Sequence, residues 1–424
     1  MRLFYNIFVY GYGFLIRLAV PFYDQARQWY AGRKDLFQKM EKAVGDHHED
    51  IVWFHAASLG EFEQGRPVIE AFRKTFPRYK ILLTFFSPSG YELRKNYDGA
   101  DYIFYFPLDK PKNAQRLIRI FKPRLAVFIK YEYWYNTIHE LSKNKIPLFF
   151  ISAIFRKEQY FFKPGAKWFR QQLQKVTWFM VQDKTSADLL NSIHLYHHQI
   201  SGDTRFDRVL KIAHEEVKFP VIQQYTKNNK VMICGSTWPP DEDILADYLK
   251  HHRHIKMVIA PHKINDDHIR EIKEKFNAFH PVLYSEADRT MDEQSSVLII
   301  DSLGMLSYLY RFGQVAYVGG GFGSGIHNLL EAAVYGIPVI FGPHYQPFRE
   351  AHDLLKNGGG YTIRNKSSFS EVADRLFQKE EIRYQSGQAA KQYVENEAGA
   401  TFQIIEKFKE YLVAQQKEKL SGNL

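Results

Sequence analysis

The chain has 424 residues, 45% apolar and 25% charged, with a formal net charge of +10, 16% aromatic residues and a single cysteine, Cys234. That length exceeds one ordinary core at about 100–200 residues per domain, so two domains are expected, and the composition excludes a low-complexity or repeat architecture. One cysteine excludes an intramolecular disulfide framework and a cysteine-only metal site, and the charge calls for an anionic partner. Among nucleic acid, a membrane surface and phosphorylated small molecules, nucleic acid is the weakest candidate. The basic residues are spread along the chain, without zinc-finger spacing or an RNP-type aromatic stretch.

The first segment, Leu3–Val20, reads LFYNIFVYGYGFLIRLAV with Arg17 as its only charge. As a helix it would be roughly 27 Å long, just short of a hydrocarbon core. Two readings stay open: a membrane-associating segment that spans or lies in the surface, or an amphipathic helix buried in the first domain. Its tyrosines and phenylalanines suit the interfacial zone, and Arg27, Arg33 and Lys34 would hold the next domain on the cytoplasmic side. No small-residue cleavage site follows, which argues against a removed signal peptide. The expected division is residues 1–25 as the membrane-associating segment, 26–215 as an acceptor-binding α/β domain, and 216–424 as a donor-binding α/β domain ending in helices.

From Ile51 onward, short β-branched or aromatic runs alternate with helical stretches: IVWFHAAS, KILLTFF, YIFYF, RLAVFIK, PLFFISA and WFMVQ. Such alternation predicts a parallel sheet flanked by helices. In such sheets ligands bind beyond the carboxyl ends of the strands. After the first run, WFHAASLGEFEQG puts Ser58, Gly60 and Glu61 at the start of a helix. A carboxylate there is favourable with the helix dipole, and at a strand end it can also take a proton from an acceptor hydroxyl as general base. Ser89 and Gly90, in FFSPSGY, form a second turn of this kind. Lys130 and Glu132 bring charge into VFIKYEYWYN, which a strand tolerates only at its end or in a polar site, and Arg156 after FFISAIF is a further basic candidate. The polar stretch Lys211–Lys230, with Pro220 and Asn228–Asn229, reads as a linker.

A second alternating set runs through VMICGS, IKMVIA, VLII, VAYVGG and IPVIFG. Within CGSTWPPDED, the Ser236 and Thr237 hydroxyls are either helix caps or phosphate ligands, with capping favoured on local grounds. In IIDSLGMLSYLY, Asp301, Ser302 and Gly304 follow a strand and either receive a nucleobase or form a plain turn. The segment GGGFGSGIHNLLE reads as a glycine-rich turn, with Gly320, Gly321, Ser324 and Gly325, running into a helix from about His327. Its free N–H groups and dipole would stabilise a phosphate. Glu331, four residues after His327, would lie on the same helical face and accept hydrogen bonds from ribose. Two doubly wound α/β domains facing across a cleft are the expected architecture.

HAASLGE at 55–61, SPSG at 87–90, EYW at 132–134, SGDTRFD at 201–207, GSTWP at 235–239, DSLGML at 301–306 and GGGFGSGIHNLLEAAVYGIPVIFGP at 319–343 occur in this order. Together they give the chain a resemblance to the 3-deoxy-D-manno-octulosonic acid (Kdo) transferases of lipopolysaccharide assembly, glycosyltransferases of the GT-B fold. The resemblance covers nearly the whole chain. It implies inverting transfer of Kdo from CMP-Kdo to a hydroxyl of a lipid A precursor, of the lipid IVA type. No metal or other cofactor is implied, and the site of action would be the cytoplasmic face of the inner membrane. Carried over by position, Glu61 would be the catalytic base. Ser236, Thr237, His262, Gly304, Asn328 and Glu331 would surround CMP, with its phosphate near Gly320–Gly325. Ser58, Gly60, Ser89, Gly90, Lys130, Glu132 and Arg156 would serve the acceptor or the sugar.

The chain departs from the family pattern at several points. Lys130 stands where the family has a carboxylate, and Tyr135 where it has proline. Ser152–Ala153–Ile154 replaces Asn-Ala-Arg, and Ala260–Pro261–His262 replaces Pro-Arg-His. Arg156 and Lys263 are the basic residues at hand for the two missing arginines. The alternatives are another nucleotide-sugar enzyme of the same fold, either a uridine-donor lipid glycosyltransferase or a sugar epimerase, and a non-catalytic binder of anionic lipids.

Overall fold

The computed structural model describes residues 1–45 and 49–421. The chain forms two compact units, Met1–Arg208 together with the C-terminal stretch from Ala398, and Val209–Glu397. The first holds β1 (Ile51–Ala56), β2 (Lys80–Phe85), β3 (Tyr102–Tyr105), β4 (Leu125–Ile129), β5 (Leu148–Ala153), β6 (Trp178–Val181) and β7 (His198–Ile200). They pair in the order β3-β2-β1-β4-β5-β6-β7. The second holds β8 (Lys230–Thr237), β9 (Ile255–Pro261), β10 (Pro281–Leu283), β11 (Val297–Ile299), β12 (Val315–Val318), β13 (Val339–Phe341) and β14 (Gly360–Thr362). Their order is β10-β11-β9-β8-β12-β13-β14, and every pairing in both sheets is parallel.

Parallel strands covered on both faces must be apolar on both. In β1, Ile51 and Trp53 join a core with Leu82, Phe128 and Phe150, while Val52, Phe54 and Ala56 join the opposite core with Ile81, Leu83 and Val127. Winding runs outward in both directions from the first strand of each sheet, so the strand order reverses between β1 and β4 and between β8 and β12. A crevice opens beyond the carboxyl ends at each such point. Those ends carry Ser58 and Lys130 in one unit, and Ser236 and the Gly319–Gly325 turn in the other.

The division differs from the expected one at its boundary and its end. The changeover falls at Arg208 rather than residue 215, and the stretch read as a linker contains the helix Pro220–Thr226. The terminal helix, Ala400–Ser421, belongs with the first unit: Ile404, Ile405, Phe408 and Leu412 pack into the core beside Val68 and Phe72. Asp207 fixes its start, accepting from the N–H groups of Gly399 (2.7 Å) and Thr401 (2.7 Å). A carboxylate at a helix N-terminus satisfies free donors and complements the dipole, which accounts for the last residue of the SGDTRFD run.

Helix α1 (Arg2–Ala19) is followed after a sharp bend by α2 (Asp24–Ala31) and then by α3 (Leu36–Val44). No single helix among the described residues is long and apolar enough to cross a membrane. The α1–α2 pair, bent by 120°, meets the length and composition test only as a pair. One face of α1 is docked. Val9 is buried with Tyr12 and Ile16 beside it, Tyr5 donates to Asp109 (2.6 Å), and Asn6 accepts from Asn136 (2.8 Å). The opposite face, with Leu3, Phe4, Ile7, Phe8, Phe14, Leu15 and Leu18, is 54–69% exposed. The spacing i, i+4, i+7 puts these side chains in one stripe. Arg33 does not lie out as a flanking surface charge. Its guanidinium donates to the carbonyls of Phe86 (2.7 Å) and Phe106 (3.0 Å) and covers the Trp29 ring at 3.8 Å, and desolvation lowers its pKa to about 9.

Candidate functional site

In the first unit, β1 leads through Ser58 into α4 (Leu59–Thr75), with Glu61 in its first turn. Ser58 Oγ donates to Glu61 Oε2, so the carboxylate is oriented from within its own turn. Packing fixes where that turn stands. A Cβ at Gly65 would come within 2.1 Å of Ile129 Cδ1, so glycine lets α4 lie directly on β4. After β2, Ser87 caps α5 (Pro88–Arg94) by accepting from Ser89 N (3.2 Å). A Cβ at Gly90 would meet Phe85 at 2.4 Å and the Ser58 carbonyl carbon at 3.1 Å, so Gly90 brings α5 against the turn that carries Glu61. Gly60 is exposed and has no close neighbour other than Ser58 Oγ, at 3.8 Å from a built Cβ.

The other side of the crevice is strained. Lys130, directly after β4, has φ +73°, and Ser152, at an irregularity of β5, has φ +49°. Non-glycine residues in this region cost of order 1 kcal/mol or more and persist only where the surroundings hold them. Lys130 is half-buried with Nζ 5.1 Å from the Tyr131 ring, while Ser152 is buried and shares a 2.8 Å hydrogen bond with Thr204. Ser152 is thereby part of the core, and Arg156 lies exposed on the loop beyond β5.

Glu132 turns inward. Its carboxylate accepts from Trp134 Nε1 (2.7 Å) and contacts His55 Nε2 (3.2 Å), and His55 Nδ1 is 2.9 Å from Thr84 Oγ1. His55 is fully buried in β1. The sequence motifs do not single out this network; the signal that could have found it is a histidine inside the apolar run IVWFHA. Tyr135, in the proline position, pairs its hydroxyl with that of Tyr160 and packs edge-on against Tyr5 at 5.0 Å, so it serves to seat α1.

In the second unit, Ser236, the penultimate residue of β8, has φ +53° and is half-buried. Neither Ser236 nor Thr237 caps the following helix, Pro239–His251. Trp238 is the N-cap, and Asp241 accepts its N–H at 2.9 Å. Thr237 is buried and donates to Glu242 (3.1 Å), which leaves Ser236 as the hydroxyl at the crevice.

The glycine-rich turn is built differently from its sequence reading. The helix after it is a single turn, Leu330–Ala333, and starts three residues beyond His327. Leu329 is its N-cap, and Asn328 before it accepts from Leu330 N (3.2 Å) and donates to Glu331 Oε1 (3.0 Å), so His327 and Glu331 do not share a helical face. A dipole from one turn is small.

Many of the turn's N–H groups are engaged internally. Gly323 and Gly325 donate to Gly320 O, His327 donates to Gly319 O, and Gly320 donates to the buried Asp241 carboxylate (3.0 Å). Asp241 also accepts from Tyr317 OH (2.6 Å), and burial raises its pKa against these three bonds. Gly321 lies against Gly342, where a Cβ would be 2.6 Å from backbone, while Ser324 is exposed. Gly304, at φ +85°, has open space around it, and Asp301 is held by Ser285.

At the mouth of this crevice three rings converge from three strand ends. Trp238 Nε1 donates to His327 Nε2 (3.2 Å), and the His262 ring, just beyond β9, stacks on Trp238 (4.6 Å) and on His327 (4.4 Å). Desolvation and the neighbouring His262 lower the pKa of His327 to about 4, and desolvation and Lys263 lower that of His262.

Residues 31–208 match the model of a family described as 3-deoxy-D-manno-octulosonic-acid transferase (kdotransferase). The chain is 26% identical over 384 residues to the 3-deoxy-D-manno-octulosonic acid transferase of Chlamydophila psittaci, covering 85% of each. It is 25% identical over 341 residues to a bifunctional glycosyltransferase/methyltransferase of Fusobacterium nucleatum. That match takes in 77% of this chain but only 53% of the relative, so the chain spans about half the length of that protein. Among solved structures, the UDP-GlcNAc 2-epimerase of Neisseria meningitidis bound to UDP-GlcNAc superimposes with a TM-score of 0.61 at 17% identity, covering 85% of this chain and all of the other. At that identity the likeness is one of fold, and it agrees with two parallel seven-stranded sheets of the GT-B kind. The match of residues 31–208 to the family model and the similarity to a curated transferase over most of the chain's length together mark the chain as similar to the 3-deoxy-D-manno-octulosonic acid transferases.

Proposed function

We propose that the protein transfers Kdo from CMP-Kdo to a hydroxyl of a lipid A precursor, with inversion and without a metal. The observation that carries this reading is Glu61, oriented by Ser58 at the β1–β4 reversal and pressed into place by Gly65 and Gly90. A carboxylate at a strand-end crevice can accept the acceptor's proton as its oxygen attacks the anomeric carbon. The departing CMP phosphate is received in the second unit, around Ser236 and the Gly319–Gly325 turn. Lys130 beside the first crevice supplies a cation for a phosphorylated or carboxylated substrate group.

The same reading assigns the protein to the cytoplasmic face of a membrane, where such an acceptor resides. The support is the exposed apolar stripe of α1, whose opposite face is held by Asp109 and Asn136. A helix docked along one side lies in the interface plane.

Replacing Glu61 by Gln tests the assignment: transfer should be lost by a factor of about 10² or more while CMP binding stays near wild type. A purified Glu61→Gln protein with near-normal turnover contradicts it. The metal-independence is tested by assay in EDTA.

A further inference from the structure

Part of the backbone that could face an anion in the donor crevice is already engaged. The turn uses the N–H groups of Gly320, Gly323, Gly325 and His327 for its own bonds, and the helix after it is one turn long. Side chains beside the turn therefore bear on how an anion is held there. The side chains that β8, β9 and the glycine turn bring to this point are Trp238, His262, Lys263 and His327.

Their arrangement is specific. The Trp238–His327 hydrogen bond requires an unprotonated Nε2 on His327, so that ring serves as a fixed neutral partner. His262 lies over both rings, held by its faces. It is exposed, and among the described residues no hydrogen bond engages either of its nitrogens. Lys263 Nζ stands 5.0 Å from the Trp238 ring. The groups packed around His262 are thus Trp238 from the end of β8, His327 from the glycine turn and Lys263 from its own loop. The buried carboxylate of Asp241, in the helix after β8, is occupied by Tyr317, Gly320 and Trp238.

We propose that His262, stacked across the Trp238–His327 pair, is a phosphate ligand of the nucleotide that takes up a proton as the anion binds, with Lys263 as its permanent partner charge. The inference rests on the donor-site reading above. In the free protein desolvation and, after it, Lys263 oppose protonation of His262. An anion beside the ring reverses that balance, because an opposite charge nearby favours the charged form. Linkage then fixes the sign: a proton taken up on binding makes affinity fall as pH rises from the free to the bound pKa, by up to about tenfold per unit.

The test is calorimetric titration of the full chain with CMP between pH 5.5 and 8.5, for wild type, His262→Gln and His262→Arg. Each protein is checked for native near-UV dichroism. The ionisation of CMP itself is common to all three and cancels in their comparison. Wild type should lose roughly three- to tenfold more affinity than His262→Gln between pH 6 and 8, and its heats should report proton uptake across buffers of different ionisation enthalpy. His262→Arg should bind without that loss. Superimposable wild-type and His262→Gln profiles overturn the inference alone. A folded wild type that binds no CMP at any pH overturns the donor-site reading and the inference together.

Discussion

The N–H of Gly320 is donated to the buried carboxylate of Asp241 across 3.0 Å, which ties the first bend of the glycine-rich turn to the helix that follows β8. Asp241 accepts from Trp238 N and Tyr317 OH as well, so one side chain holds three elements. Truncating it leaves three donors without a partner, two of them buried. Asp241→Ala should destabilise the second unit by roughly 3 kcal/mol, and Asp241→Asn by less, since its carbonyl still accepts. Urea denaturation followed by tryptophan fluorescence checks this, and a change under about 0.5 kcal/mol for the alanine variant contradicts it.

Gly65 predicts a coupling between packing and activity. A methyl group there must displace Ile129 or lift α4 from β4, and α4 carries Glu61. Gly65→Ala should destabilise the first unit by about 1–3 kcal/mol and lower turnover further than stability alone explains. The comparison is turnover against CMP affinity in protein shown to be folded, since the donor crevice lies on the other unit's sheet.

His327 predicts a pH dependence of stability. Its folded pKa of about 4 lies below the ordinary imidazole value of 6.5, so in acid the unfolded chain binds a proton that the folded chain refuses. Stability is unaffected above pH 6.5 and is lost progressively as pH falls toward 4. The full shift corresponds to about 3 kcal/mol, reduced to roughly 1–2 kcal/mol because the ring is only partly buried. Thermal melts at pH 7 and pH 4.5 should differ more for wild type than for His327→Asn; equal slopes contradict the assignment.

The two faces of α1 should separate experimentally. Replacing Phe4, Phe8 and Phe14 by Ser removes exposed aromatic area and should reduce binding to anionic lipid vesicles at least about tenfold, with an unchanged melting temperature. Tyr5→Phe removes a donor from buried Asp109 and should lower the melting temperature while vesicle binding persists. Vesicle flotation checks both, and equal binding by the triple variant and wild type contradicts the interfacial reading.

Much of the fold is legible because both sheets are buried on both faces. The runs IVWFHAAS, KILLTFF and RLAVFIK in the first unit, and VMICGS and VAYVGG in the second, each become a strand. The strands without a sequence signal, β7, β10 and β14, are three residues long and lie at sheet edges, where a continuous apolar run is not demanded. The terminal helix falls in the first unit rather than the expected second, and its attachment depends on Asp207, about 190 positions earlier in the chain. The helix expected from His327 fails for a local reason, since the bonds of Gly325 and His327 back to the turn hold the chain out of helical geometry until Leu329. Glu61 and Ser236 stood out by following strands. Asp241 had the signal of a capping residue three positions after Trp238, and its hold on Gly320 is a long-range contact that spacing does not reveal.

The most direct measurement is the mass of a lipid A precursor after incubation with the purified protein and CMP-Kdo, run beside the Glu61→Gln variant and a UDP-sugar control. The account predicts a product heavier by one or more Kdo units with wild type and CMP-Kdo alone. No Kdo-bearing product from folded wild type, or an equal yield from Glu61→Gln, contradicts it.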